Sequence, residues 1–165
     1  MGCGQGRGKA ARGRLKDARP DLTEGQVNTK ANILIVDDEE VVRRSYARIL
    51  AGAHCNAEAV WNGDEALRAM AERPFDVVLL DLRLPGTDGM GVLRAIKEKW
   101  PESEVVVITG YPTIETAKEA VRLGAFDYLA KPVEPEEVVD ATLGAMLHKR
   151  WALRRNSTTQ SRSLS

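Results

Sequence analysis

Little in this composition marks the chain as specialised, and the shortages are informative. Only two cysteines occur, Cys3 and Cys55. Two thiols so placed build neither a disulfide framework nor a zinc site. Cys55 lies in a short strand-like run and is predicted to be a small core residue. No apolar run reaches the ~18 residues a membrane span needs, so a soluble, cytoplasmic chain without membrane contact is expected. Met1-Gly2-Cys3 invites a lipid anchor, but Gly6 stands where a myristoylation site has Ser or Thr. Net charge is missing too, since 24 basic and 24 acidic residues cancel. The cancellation hides a pattern. Residues 1–31 hold seven Lys/Arg against three Asp/Glu, and residues 148–165 hold five basic residues and no acidic ones. Residues 32–147 are left with 12 basic and 21 acidic residues, a net −9. An acidic centre is flanked by basic ends.

The chain's 165 residues accommodate one ordinary domain plus tails, and 43% apolar content supplies a core. Residues 1–30 are rich in Gly, Arg and Lys with almost no large apolar side chains. Such a segment cannot bury enough surface to offset its ordering entropy, so a disordered basic tail is predicted. Asn156–Ser165 is Ser/Thr/Gln-rich and reads the same way. The expected organisation is a tail over 1–30, a domain over 31–150, and a helix extension with a disordered end over 151–165.

Within the domain the pattern alternates regularly. Ile33–Val36, residues 54–60, Val77–Leu80, Val105–Ile108 and Phe126–Ala130 read as strands. Helices follow each, beginning near Glu39, Gly63, Asp88, Thr113 and Pro135. Acids in the first turn, Pro74 after the second helix and Gly124 after the fourth mark their ends. Strands alternating with helices predict an α/β fold, a doubly wound five-stranded parallel sheet with helices on both faces. The first, third and fourth strands are almost wholly apolar and read as central, while His54, Asn56 and Glu58 make the second an edge. The expected order is 2-1-3-4-5, with right-handed crossovers.

Sites in such sheets lie beyond the carboxyl ends of the strands. Those ends carry Asp37 and Asp38, then Asp81, Thr109 and Lys131. Singly, each has an ordinary reading as a helix cap, a turn residue or a solvated lysine. Together at one edge of one sheet they point to a built crevice. Clustered carboxylates repel unless a cation sits among them, and oxygen donors with room for water suit Mg²⁺. A carboxylate beside such a cation can accept a phosphoryl group, with an ammonium and a hydroxyl to meet its oxygens.

The segments ILIVDDEE (33–40), VVLLDLRLPGTDGM (77–90), VVVITGYPT (105–113) and FDYLAKP (126–132) resemble the receiver domains of two-component response regulators, a flavodoxin-like fold. The wording from Ile108 to Pro132 is similar to receivers attached to enhancer-dependent transcription activators and to those within hybrid kinases. The resemblance implies that Asp81 is the phosphoacceptor and Asp38 a direct Mg²⁺ ligand. Asp37 would help directly or through water, and Arg83 would give its backbone carbonyl to the metal alongside Asp81. It also implies Thr109 as the switch hydroxyl, Lys131 as the phosphate-contacting lysine, and a cis peptide before Pro132. Tyr128 matches an aromatic switch that turns inward when Thr109 moves towards the phosphoryl group. The implied donor is a histidine kinase or phosphotransfer protein. The implied reader of the switch is a downstream protein at the fourth helix, fifth strand and fifth helix.

Arg83 and Tyr111 are expected to flank the route of attacking water and so to set the lifetime of the phosphoryl group. Trp151 and Leu153, among arginines, read either as packing against a second copy in a homodimer or as a frayed linker stub. Three competing functions are disfavoured. A haloacid dehalogenase-type phosphatase wants an acid two residues after its nucleophile, where this chain has Arg83, so an enzyme acting beyond its own phosphorylation and dephosphorylation is not expected. A DNA-binding regulator would need a helix-turn-helix pattern, and an acidic core repels DNA, so no direct nucleic-acid contact is expected. A histidine kinase would need Gly-rich nucleotide boxes, which are absent, and neither His54 nor His148 has a phosphotransfer context. With nothing predicted to fold after about residue 155, the sequence reads as a stand-alone receiver or a fragment of a longer protein.

Overall fold

A computed structural model of the chain describes residues 30–162. The tail expected over 1–30 therefore lies, apart from Lys30, outside the described residues. The strands are β1 (Asn32–Val36), β2 (Asn56–Val60), β3 (Val77–Leu80), β4 (Arg83–Leu84), β5 (Thr87–Asp88), β6 (Glu104–Thr109) and β7 (Asp127–Ala130). The helices are α1 (Glu40–Gly52), α2 (Gly63–Glu72), α3 (Gly89–Lys99), α4 (Ile114–Arg122) and α5 (Pro135–Arg162).

Five strands form one parallel sheet in the order β2-β1-β3-β6-β7. Counted as the five predicted strands, this is the order 2-1-3-4-5. The continuous apolar runs explain it. Every residue of β3 and β6 is buried, as are Ile33–Val36 of β1, because both faces of these strands are covered. Alternate side chains feed two cores. Leu34, Val36, Val78, Leu80, Val105 and Val107 pack with α2, α3 and Ala120 of α4. Ile33, Ile35, Val77, Leu79, Val106 and Ile108 pack with Tyr46 and Leu50 of α1 and Val138, Ala141 and Ala145 of α5.

Three details depart from the sequence reading. A two-stranded antiparallel hairpin, β4–β5, follows the third main strand. It turns through Pro85 and Gly86, whose φ of 67° suits the second central position of a tight turn. The second strand starts at Asn56, because His54 adopts a φ of 59° and ends the turn after α1. Of the end expected as disordered from Asn156, residues 156–162 stand in α5, and 163–165 lie outside the described residues. There the polar side chains bond back along the helix. Ser157 donates to the Leu153 carbonyl at 2.7 Å, and Thr158 and Thr159 to those of Arg154 and Arg155 at 3.0 Å. Ser/Thr composition signalled a coil, whereas these i−4 bonds let the same residues sit on a helix. Among the described residues no helix is long and apolar enough to cross a membrane.

Candidate functional site

The site is assembled by extending the strand ladder one residue beyond its last pairs. Val36 and Leu80 are partners in β1 and β3, and the Asp81 amide donates to the Val36 carbonyl at 2.9 Å. Asp37 and Asp81 therefore leave the sheet side by side. On the other flank the Lys131 amide donates to the Thr109 carbonyl at 2.8 Å, so the lysine emerges beside the hydroxyl. Parallel pairing, with the strand order, thus brings residues 94 positions apart together.

Lys131 joins the two acids. Its Nζ donates to Asp37 Oδ2 at 2.7 Å and to Asp81 Oδ2 at 2.9 Å. The other carboxylate oxygens accept backbone amides, Asp37 Oδ1 from Glu39 and Asp81 Oδ1 from Arg83, each at 2.9 Å. Both acids are buried, at 2% and 5% exposure. Burial pushes the Asp37 carboxyl above its ordinary value, against the opposing pull of Lys131 and the Glu39 amide. For Lys131, burial alone would favour the neutral amine. Its bonds to Asp37 and Asp81 outweigh that and hold it above the usual lysine range, so the ammonium is a fixed charge.

Asp38 is exposed, next to the buried Asp37. Carboxylate oxygens of Asp37, Asp38 and Glu39 lie within 4.8 Å of one another. This is a hard-oxygen donor set of the kind that fits Mg²⁺. Glu39 was not among the residues singled out from the sequence. Asp81 was, and it meets the group through Lys131. Arg43, also missed, donates to the Asp37 carbonyl at 2.8 Å. It lies one helical turn beyond Glu39 on α1, and nothing in its local sequence signalled that bond.

Thr109 is buried at 1% exposure, and its Oγ1 accepts the Tyr111 amide at 3.2 Å. The exposed Tyr111 ring is covered by Arg83, whose guanidinium carbon stands 3.5 Å from the ring centroid. These two side chains form one stacked unit, as cation–π partners do. The Lys131-Pro132 peptide is cis. Tyr128 does not stand out in solvent. Its ring packs against the core that contains Val107 and Ala120, and its hydroxyl lies 2.7 Å from Thr116 Oγ1. Thr116 also was missed, although Thr113-x-x-Thr116 has capping-box spacing.

Comparison with known proteins closes the question of family. The model of the response regulator receiver domain matches residues 33–143. The chain belongs to the response regulator receiver domain family. Among relatives of this receiver is a putative NtrX-like response regulator of Rickettsia bellii, 42% identical over 110 residues, which are 66% of this chain and 23% of that protein. The DNA-binding transcriptional regulator NtrC of Salmonella typhimurium is 38% identical over 116 residues, 70% of this chain and 25% of that protein. This receiver thus spans about a quarter of the length of the curated relatives it matches. The crystal structure of the receiver domain of NtrX from Brucella abortus is similar with a TM-score of 0.66 and 37% identity, covering 69% of this chain and 97% of that one.

Proposed function

We propose that Asp81 accepts a phosphoryl group from the phosphohistidine of a kinase or phosphotransfer protein. The P–N bond of the donor breaks as a P–O bond forms to an Asp81 carboxylate oxygen. The imidazole nitrogen leaves with the electron pair and takes up a proton, and the product is an acyl phosphate. The observation that carries this reading is the bridge from Lys131 to both buried carboxylates. Lys131 exchanges its bond to Asp81 for one to an incoming phosphoryl oxygen, keeping the ammonium paired throughout. Asp37 and Asp38, with the Arg83 carbonyl and Asp81 itself, would hold Mg²⁺. When bound, that ion neutralises phosphoryl oxygens during transfer.

Once formed, the acyl phosphate draws the Thr109 hydroxyl towards it, and Tyr128 carries the change to the face made by α4, β7 and α5. A pre-existing two-state equilibrium moved from 1:99 to 99:1 needs about 5.5 kcal/mol of differential contact. A few charge-assisted hydrogen bonds to the phosphoryl group are of that size. The exposed Leu143, Leu147 and Trp151 on α5 suit a protein partner there, either a downstream protein or a second copy. Residues 31–150 act as the receiver, with the basic flanks as connections, in a cytoplasmic signalling protein. Turnover is confined to the chain's own phosphorylation and hydrolysis, because Arg83 stands where a phosphatase would place a second acid. Phosphotransfer from a panel of labelled histidine kinases tests the proposal. One kinase should label the chain within seconds and leave Asp81→Asn unlabelled, and equal labelling of both would refute it.

A further inference from the structure

We propose that Thr116 is a positioning residue of the switch, whose hydroxyl holds Tyr128 inward before any phosphoryl group arrives. The inference rests on the reading of Asp81, Thr109 and Tyr128 given above. Tyr128 pairs with Val107 in the β6–β7 ladder, and Thr109 pairs with Ala130. Residues two apart on a strand share a face, so Tyr128 and Thr109 stand on the same side of the sheet. The room available to the tyrosine ring therefore depends on where Thr109 sits.

Four polar atoms surround the Thr116 hydroxyl. A hydroxyl donates once and accepts twice. Thr116 Oγ1 lies 3.3 Å from the Thr113 amide, which can only donate, and 3.1 Å from the Thr113 carbonyl, which can only accept. It also lies 2.9 Å from Thr113 Oγ1 and, at the shortest distance of the four, 2.7 Å from Tyr128 Oη, where either hydroxyl can donate. The Tyr128 hydroxyl thus meets the capping box in which the Thr116 amide donates to Thr113 Oγ1 at 3.1 Å. Thr116 is half-buried and Tyr128 packs against the core, so outward rotation gives up both apolar contact and this bond.

The consequence concerns the resting population. An inward ring and a phosphoryl group on Asp81 favour each other, and such coupling is reciprocal. Thr116 therefore biases the unphosphorylated receiver towards the arrangement that phosphorylation selects. One neutral hydrogen bond corresponds to a population change of about five-fold.

The test is a double-mutant cycle in the full chain, with Thr116→Val, Tyr128→Phe and the double variant. It reads the rate constant of phosphorylation by acetyl phosphate with Mg²⁺, together with the ring resonances of Tyr128 in tyrosine-labelled protein. Each single variant should slow phosphorylation by about five-fold, and the double variant should be no slower than either. Thr116→Ser keeps the hydroxyl and should recover most of the rate and the wild-type Tyr128 resonances. A purely structural cap lowers stability equally in the Tyr and Phe backgrounds and leaves the rates additive. Additive rates, or unchanged Tyr128 resonances in Thr116→Val, overturn the proposal. Should Thr116→Val not fold, Tyr128→Phe and Thr116→Ser still decide it, since the proposal requires the first to be slow and the second fast. Labelling that persists in Asp81→Asn would instead overturn the underlying reading, and the proposal with it.

Discussion

Replacing Lys131 by methionine keeps the apolar stem and removes the cation that touches both strand-end carboxylates. The side chain is only 16% exposed, and its partners Asp37 and Asp81 are 3% and 6% exposed. Breaking a buried pair by removing one partner costs roughly 3–5 kcal/mol, because the charge left behind has no compensation. Here each carboxylate keeps one backbone amide, from Glu39 or Arg83, so the lower end, about 3 kcal/mol, is expected. For a domain of this size that is a fall in Tm of about 10 °C. The pH dependence has a definite sign. Burial already raises the Asp37 carboxyl, and without the lysine it rises further. The folded state then holds its proton to higher pH than the unfolded chain does. Stability of the variant, relative to the wild type, therefore falls as pH climbs from about 4, the unfolded carboxyl value, through the raised folded value. Urea denaturation of both proteins at pH 5 and pH 7.5 measures this. The deficit should be larger at pH 7.5. A deficit below about 1 kcal/mol, or one equal at the two pH values, would refute the reasoning that the bridge neutralises two desolvated acids.

Other expectations follow from particular contacts. Arg83 stacks on Tyr111 beside Asp81, and if the pair shields an acyl phosphate there, each side chain should do so only with its partner in place. Tyr111→Ala and Arg83→Ala should each shorten the lifetime of the phosphorylated protein several-fold, and the double variant should add little. An unchanged decay rate in Tyr111→Ala would count against the shield. Gly89 begins α3 beneath the hairpin, where a Cβ would lie 2.4 Å from the Leu82 Cα and carbonyl oxygen. Backbone atoms cannot swing aside, so Gly89→Ala should cost about 1–3 kcal/mol by overpacking, visible as a lower Tm, while an unchanged Tm would mean that the chain there shifts freely.

Much of this molecule was legible because the strands are buried on both faces. Runs such as Val77–Leu80 and Val105–Ile108 can be neither alternating surface strands nor long helices, and the less apolar second strand could only be an edge. Strand order then made Asp37, Asp81, Thr109 and Lys131 neighbours without any local signal of contact. What stayed hidden was set by side-chain geometry. Periodicity says nothing of whether Lys131 bridges its acids, or of the Tyr128 hydroxyl meeting Thr116 on the preceding helix. The β4–β5 hairpin was too short to leave a pattern. The end of α5 was misjudged because Ser and Thr signal coil by composition, while their hydroxyls can return to the i−4 carbonyls of a helix already under way.

The central claim is that one carboxylate of the constellation carries the phosphoryl group. Treating the chain with acetyl phosphate and Mg²⁺, trapping the acyl phosphate with borohydride and mapping the reduced residue by peptide mass spectrometry tests it most directly. The expected result is a single reduced site at Asp81, absent from Asp81→Asn. Reduction at Asp37, Asp38 or any other residue in the wild-type protein, or no trapped site at all, would contradict it.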